Sequence, residues 1–204
     1  MLEPRGILVA SVIAVLCGCA SAPVSSGATA ATGSLNFATD PGQVLEAARR
    51  LMESDENMAL VTVDDNGQPR IRTVKAFLSD VDPADPRASM TVWVMTRDST
   101  RKIEQIRNHP QVSLYFNDDA KVSYLTVMGT ASVHTDPQHP AIKAMLARPA
   151  LEGYADYFWP DFPKGFVMLE IQPDWIEFMD QEKLKPHGET WRPQAVVFDR
   201  HPSR

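Results

Sequence analysis

The chain has 204 residues, 44% hydrophobic and 23% charged, which suits one ordinary globular domain plus a tail and excludes an intrinsically disordered protein. With 20 basic residues against 26 acidic ones the net charge is −6, so no basic face for nucleic acid is expected. The only two cysteines, Cys17 and Cys19, exclude a disulfide framework and a cysteine-rich zinc site.

Residues 7–16 (ILVASVIAVL) form an apolar run. It is shorter than the ~20 residues a membrane-spanning helix needs and has the length of a signal-peptide core. The sequence Leu16-Cys17-Gly18-Cys19 resembles a bacterial lipobox, which implies cleavage before Cys19 and acylation of that cysteine. Residues 20–34, rich in Ser, Ala and Gly, suit a flexible tether. The expected organisation is a signal peptide over 1–18, an anchor and linker over 19–38, a folded domain over 39–180 and a polar tail over 181–204. The protein is therefore expected on the periplasmic face of the bacterial envelope. Ala20 offers no inner-membrane retention signal, which favours the outer membrane.

In the folded part, Asp40-Pro41 has the pattern of an N-cap followed by proline at the first helical position. Val44, Leu45, Ala48, Leu51 and Met52 recur at helical spacing, predicting a helix to about Ser54. Residues 58–64 (MALVTVD) and 69–78 (PRIRTVKAFL) are predicted strands joined by the tight turn Asp65-Asn66-Gly67. After an Asp- and Pro-rich loop, residues 90–96 (MTVWVMT) form a strand, and Asp98 or Ser99 is placed to cap a helix over 100–108. Residues 111–117 and 122–134 predict an antiparallel pair, residues 141–147 a helix, and residues 166–171 and 175–179 two last strands. Many short strands joined by hairpins, with few helices, predict a small closed β-barrel.

The sequence contains no HExxH, no G-x-S-x-G, no phosphate-binding Walker loop and no G-x-G-x-x-G. No metal site is expected: the histidines pair with no cysteine, and His134 and His139 bracket a turn-like stretch that suits solvated surface. Four basic residues stand out. Arg70 and Arg72, two apart on one strand, share a face. Arg101 and Lys102 fall in the first turn of a helix, whose free N–H groups and dipole favour an anion. Together they have the makings of a phosphate-monoester pocket.

The segments PRIRTV, VWVMTRDSTRKIEQIRNHPQVSLYF and YLTVMGTASV, in that order, resemble the FMN-binding split barrel of the pyridoxamine 5'-phosphate oxidase superfamily, in its general stress protein branch. The resemblance spans residues 44–179, and its most specific part is the order strand, T-x-x-S-x-R-K helix, NHP, strand. It implies a mainly β, antiparallel split barrel with flanking helices, assembled as a homodimer with FMN between the two barrels. By the same resemblance Arg72, Thr73 and Val74 would line the flavin, with Arg72 near its phosphate or ribityl chain. Met95 and Thr96 would sit beside the phosphate, and Arg101 and Lys102 would hold it. Tyr124 stands where the oxidases carry a glutamine that touches the isoalloxazine ring.

Three departures speak against vitamin B6 oxidation. Phe77 replaces the lysine that helps to bind pyridoxal phosphate, Met179 follows Phe178 where the oxidases have tryptophan, and no R-L-H-x-R segment occurs over 181–191. The expectation is a membrane-anchored FMN oxidoreductase that acts on a small-molecule redox partner. The alternative is a non-catalytic lipoprotein binding flavin or a haem-like ligand.

Overall fold

The computed structural model describes residues 40–54, 57–120, 122–148, 161–180 and 192–198. The predicted signal peptide, Cys19 and the linker lie outside these residues. One helix, α1 (Pro41–Ser54), opens the domain, with the Asp40 carboxylate accepting from the Gly42 N–H. Strands β1 (Asn57–Val63) and β2 (Pro69–Lys75) form a hairpin, and Gly67 takes the positive φ of 76° that the turn requires. Then come β3 (Phe77–Leu78), α2 (Pro86–Ser89), β4 (Val92–Arg97) and α3 (Arg101–Asn108). The second half holds β5 (Gln111–Asp118), β6 (Ser123–His134), α4 (Pro140–Leu146), β7 (Phe166–Asp180) and β8 (Gln194–Val197).

All the strand pairs are antiparallel, in the order β2-β1-β5-β6-β7-β4-β3, with β8 on the free part of β7. The predicted strand over 69–78 is in fact two strands at opposite ends of this path. At Ala76 the chain leaves the β1 side, and Phe77 and Leu78 pair with Trp93 and Val92. Both side chains are buried, and their burial on the β4 side is what draws the corner across. The ends of the sheet are thereby brought together without a β2–β4 ladder. The result is the mostly antiparallel half-barrel with few flanking helices that the sequence implied.

A second departure concerns β7, predicted as two strands broken at Pro173. The strand runs through: Trp175 pairs with Met128 and Pro173 with Gly129, so Asp174 is an extra residue in a bulge. Gly129 makes the bulge possible, because a Cβ there would lie 2.2 Å from the Gln172 carbonyl oxygen. Asp174 is held by Arg87 at 2.8 Å and by the Thr130 hydroxyl at 3.0 Å, which ties α2 to the bulge. Inside the polar tail, β8 buries Gln194, Ala195 and Val196 against the domain.

Residues 92–95 of β4 and 166–169 of β7 are buried on both faces of the sheet, and each of these two runs is apolar throughout. Val92, Val94, Val167, Leu169 and Ile171 join Val44, Ala48, Leu51 and Leu60 in the main core. Trp93, Met95, Phe166 and Met168 form a second cluster with Ile142 and Met145 of α4. His134 and His139 border that cluster and are half-buried rather than solvated. His134 shares a hydrogen bond of 2.8 Å with Glu170, and its ring lies 4.8 Å from that of His139 and 5.8 Å from that of Trp93. Packing of α4 over the sheet partly covers the two histidines, while Thr135, Asp136 and Gln138 between them stay exposed as the sequence suggested. Among the described residues no group of three His, Cys, Asp or Glu is placed to hold a metal, and no helix is long and apolar enough to cross a membrane.

Candidate functional site

The site forms where the β2 end of the sheet meets the turn between β4 and α3. On β1 the inward positions are Met58, Leu60 and Thr62, so a hydroxyl stands where an apolar side chain is usual. Leu60 is paired with Arg72 and Thr62 with Arg70, so both arginines start on the inward face. Their fates then differ. Arg70 swings to the hairpin and forms a two-pronged ion pair with Asp64, at 2.7 and 2.9 Å. Backbone N–H donation from Gln68, then the Arg70 bond, holds the Asp64 carboxyl below the usual carboxylate range.

Arg72 turns inward instead. Its guanidinium donates to the Thr62 hydroxyl at 2.6 Å and to the Gln105 amide oxygen at 3.0 Å. Thr62 in turn donates to Gln105 at 2.6 Å. Every acceptor that Arg72 meets is neutral.

Helix α3 supplies the rest. Thr100, rather than Asp98 or Ser99, precedes its first turn, and no side chain caps that turn. The Thr100 hydroxyl donates backwards to the Arg97 carbonyl at 2.8 Å, which leaves the helix start open to an anion. Lys102 Nζ folds back across the turn and donates to Thr96 at 2.7 Å and to Thr100 at 3.3 Å. Burial pushes the Lys102 ammonium below the ordinary lysine value, and the Arg72 charge pushes it further. Burial likewise lowers Arg72, with the Arg101 and Arg70 charges adding to the effect. Arg101 is exposed and lines a shallow cavity of about 210 Å³ with Asp64, Arg70 and Gln105. Among the described residues no carboxylate comes within ion-pair distance of Arg72, Arg101 or Lys102.

The structure thus brings Arg72, Thr96, Arg101 and Lys102 together. It places the other sequence candidates elsewhere. Thr73 is exposed on the opposite face of β2, and Val74 packs against the main core. The Met95 side chain lies in the second cluster, on the far face of β4 from Thr96. Tyr124 lies on the outward face of β6 and stacks on Tyr115, with ring centroids 6.0 Å apart. Burial raises its phenol, and the nearby Glu177 charge raises it further. Sequence reasoning missed Thr62 and Gln105. The available signal was polarity at a core position: Thr62 continues the inward alternation of β1, and Gln105 lies between the buried Ile103 and Ile106.

An open-seamed antiparallel barrel with a phosphate-sized cation cluster at the seam defines the class. A profile of the pyridoxamine 5'-phosphate oxidase family matches residues 44–180, and the chain belongs to that family. Among solved structures, a protein from Clostridium acetobutylicum related to general stress protein 26 is 26% identical, with a TM-score of 0.54, over 69% of this chain and 91% of that one. A pyridoxamine 5'-phosphate oxidase-related FMN-binding protein from Nostoc punctiforme is 15% identical, with a TM-score of 0.53, over 80% of this chain and 99% of that one. A haem-binding protein from Mycobacterium smegmatis is 16% identical, with a TM-score of 0.55, over 76% of this chain and 57% of that one. The last two share the fold. No curated protein matches the chain.

Proposed function

We propose that this protein binds FMN through its phosphate and acts as an envelope-anchored flavin oxidoreductase. The observation that carries the reading is the set of three cations, Arg72, Arg101 and Lys102, clustered without a carboxylate partner among the described residues. Cations packed together and partly desolvated repel one another, and a phosphate dianion relieves that repulsion. The residues fit a phosphate monoester: two side-chain cations, an exposed arginine, the Thr96 hydroxyl and an uncapped helix start converge. Once bound, FMN would supply the electron-transfer chemistry. The chain's own part is to grip the phosphate, fix the position of the ring and exclude water from one side of it.

A second copy of the chain is the proposed cover for that ring. The outward sheet face carries an apolar cavity of about 590 Å³ lined by Val61, Val63, Met128, Trp175 and Val197, and Val197 is 51% exposed. A two-fold axis would bury this face against itself. Tyr124, on the same face, would then approach the neighbouring site. The proposed anchor is Cys19. The haem-like alternative has less support, since the site is built from cations and hydroxyls rather than an axial ligand.

The test is a fluorescence titration of FMN and of riboflavin, which lacks the phosphate. FMN should bind far more tightly. The double change Arg101→Ala, Lys102→Ala should abolish that preference in a folded protein. Equal FMN affinity before and after the change would place the phosphate elsewhere.

A further inference from the structure

We infer that Gln105 sets the ligand charge preference of the site, by orienting Arg72 through a neutral oxygen so that the full positive charge stays available to a doubly charged phosphate group. The inference rests on the phosphate reading above and assigns the residue that makes it selective.

The hydrogen bonds form a closed ring. Arg72 donates to Thr62 and to Gln105, and Thr62 donates to Gln105. Chemistry fixes the direction of each bond. A guanidinium only donates, so the Thr62 oxygen must accept from Arg72 and send its own proton on to Gln105. Two donors converge on the same atom of the Gln105 amide, so that atom is the oxygen and the NH2 group points away. Gln105 is 8% exposed and Thr62 is fully buried, so neither has water as a ready substitute.

A half-buried arginine is usually held by Asp or Glu, whose charge offsets its desolvation. Here the same geometry is built with glutamine. A carboxylate at this place would hold Arg72 equally well and cancel its charge toward a ligand. Glutamine orients the fork and leaves Arg72, Arg101 and Lys102 repelling one another until an anion arrives. Gln105 is a positioning residue: it acts on the ligand through Arg72.

The experiment uses the full chain, with FMN and riboflavin titrations read by flavin fluorescence and with unfolding followed in the absence of flavin. Gln105→Glu should weaken FMN binding about tenfold or more, the size of one charge-assisted hydrogen bond. Riboflavin affinity should stay unchanged, and the unliganded protein should be as stable as the wild type or more so. A residue with a merely structural role would lower both affinities and the stability together, and that outcome overturns the inference. So does a folded Gln105→Glu variant that keeps the wild-type preference for FMN. Thr62→Val, which removes one acceptor and adds no charge, should reduce that preference severalfold. If Gln105→Glu does not fold, an undiminished preference in Thr62→Val overturns the inference. A wild-type protein that binds both flavins equally overturns the phosphate reading, and this inference with it.

Discussion

Lys102 Nζ lies 2.7 Å from the Thr96 hydroxyl oxygen, across the turn that joins β4 to α3. A long, strongly hydrated cation is thereby folded onto its own strand end, where burial and Arg72 both disfavour its charge. An ammonium held in that position gains by meeting an anion and loses by standing alone.

The pH dependence of FMN binding follows from this arrangement. Below a pH of about 6 the phosphate carries one charge instead of two, so affinity should rise as pH increases through that value. A bound dianion favours protonated Lys102. Affinity should therefore fall again as pH rises through the lysine's own titration, which lies below the ordinary lysine value. Lys102→Met should lower FMN affinity about tenfold to a hundredfold and remove the alkaline fall, while the acid limb stays. Because the unliganded protein no longer carries a disfavoured charge, its unfolding midpoint without flavin should rise. Affinity measured across pH for both proteins, with parallel thermal melts, checks each part. A wild-type profile that is flat on the alkaline side would remove Lys102 from the grip.

Gly129 is the position in the β6–β7 ladder most sensitive to added bulk. With a Cβ at 2.2 Å from the Gln172 carbonyl oxygen, Gly129→Ala must push the β7 backbone away and disturb the bulge that presents Asp174. We expect a loss of about 3 kcal/mol, at the upper end of what overpacking costs. Urea unfolding measures it. The preference for FMN over riboflavin should be preserved, because no residue of the cation cluster lies on β6 or β7.

The proposed dimer should be disrupted by a charge at Met128. This outward residue of β6 lines the apolar cavity with Val61 and Trp175. In an isologous interface one introduced charge is met by its own copy, so Met128→Asp places two carboxylates on the same face. Light scattering should report a mass near half that of the wild type. A wild type that is already monomeric at micromolar concentration with flavin bound would end the two-barrel proposal.

The proposed anchor rests on one thiol, that of Cys19. Cys19→Ala should move the protein from the membrane fraction to the soluble one, and unchanged fractionation would rule out the lipid anchor.

The sequence carried the β1–β2 hairpin well, because Asp65-Asn66-Gly67 and the alternation of residues 58–63 are local signals. It also brought Arg72, Thr96, Arg101 and Lys102 into one site. What it hid was decided by tertiary pairing. Ala76 marks no break in composition, yet the chain changes partner strand there, because Phe77 and Leu78 find cover on β4. Pro173 looked like a strand end, but it sits opposite Gly129 in a bulge where the ladder is already interrupted. In the His134–His139 stretch the two histidines are partly covered, through ring contacts that a local polar sequence does not signal. Thr62 and Gln105 are invisible as a pair because 43 positions separate them, and only the hydrogen bond shows that each answers the other.

That separation also bounds the grip. Every residue that holds or orients a cation of the cluster falls between Thr62 and Gln105, one unbroken stretch of chain. The strands after it contribute most of the outward face: Tyr115, Tyr124, Met128 and Trp175 lie on β5, β6 and β7, beside Val61 and Val63 of β1. In the proposed complex the handle of the phosphorylated ligand is encoded in the first half of the domain, and the surroundings of its ring, Val61 and Val63 of β1 apart, in the second. Under the proposed FMN reading, replacements in the second half change which molecule meets the ring while the phosphate contacts stay the same, and a barrel of this kind acquires a new partner without first losing its cofactor.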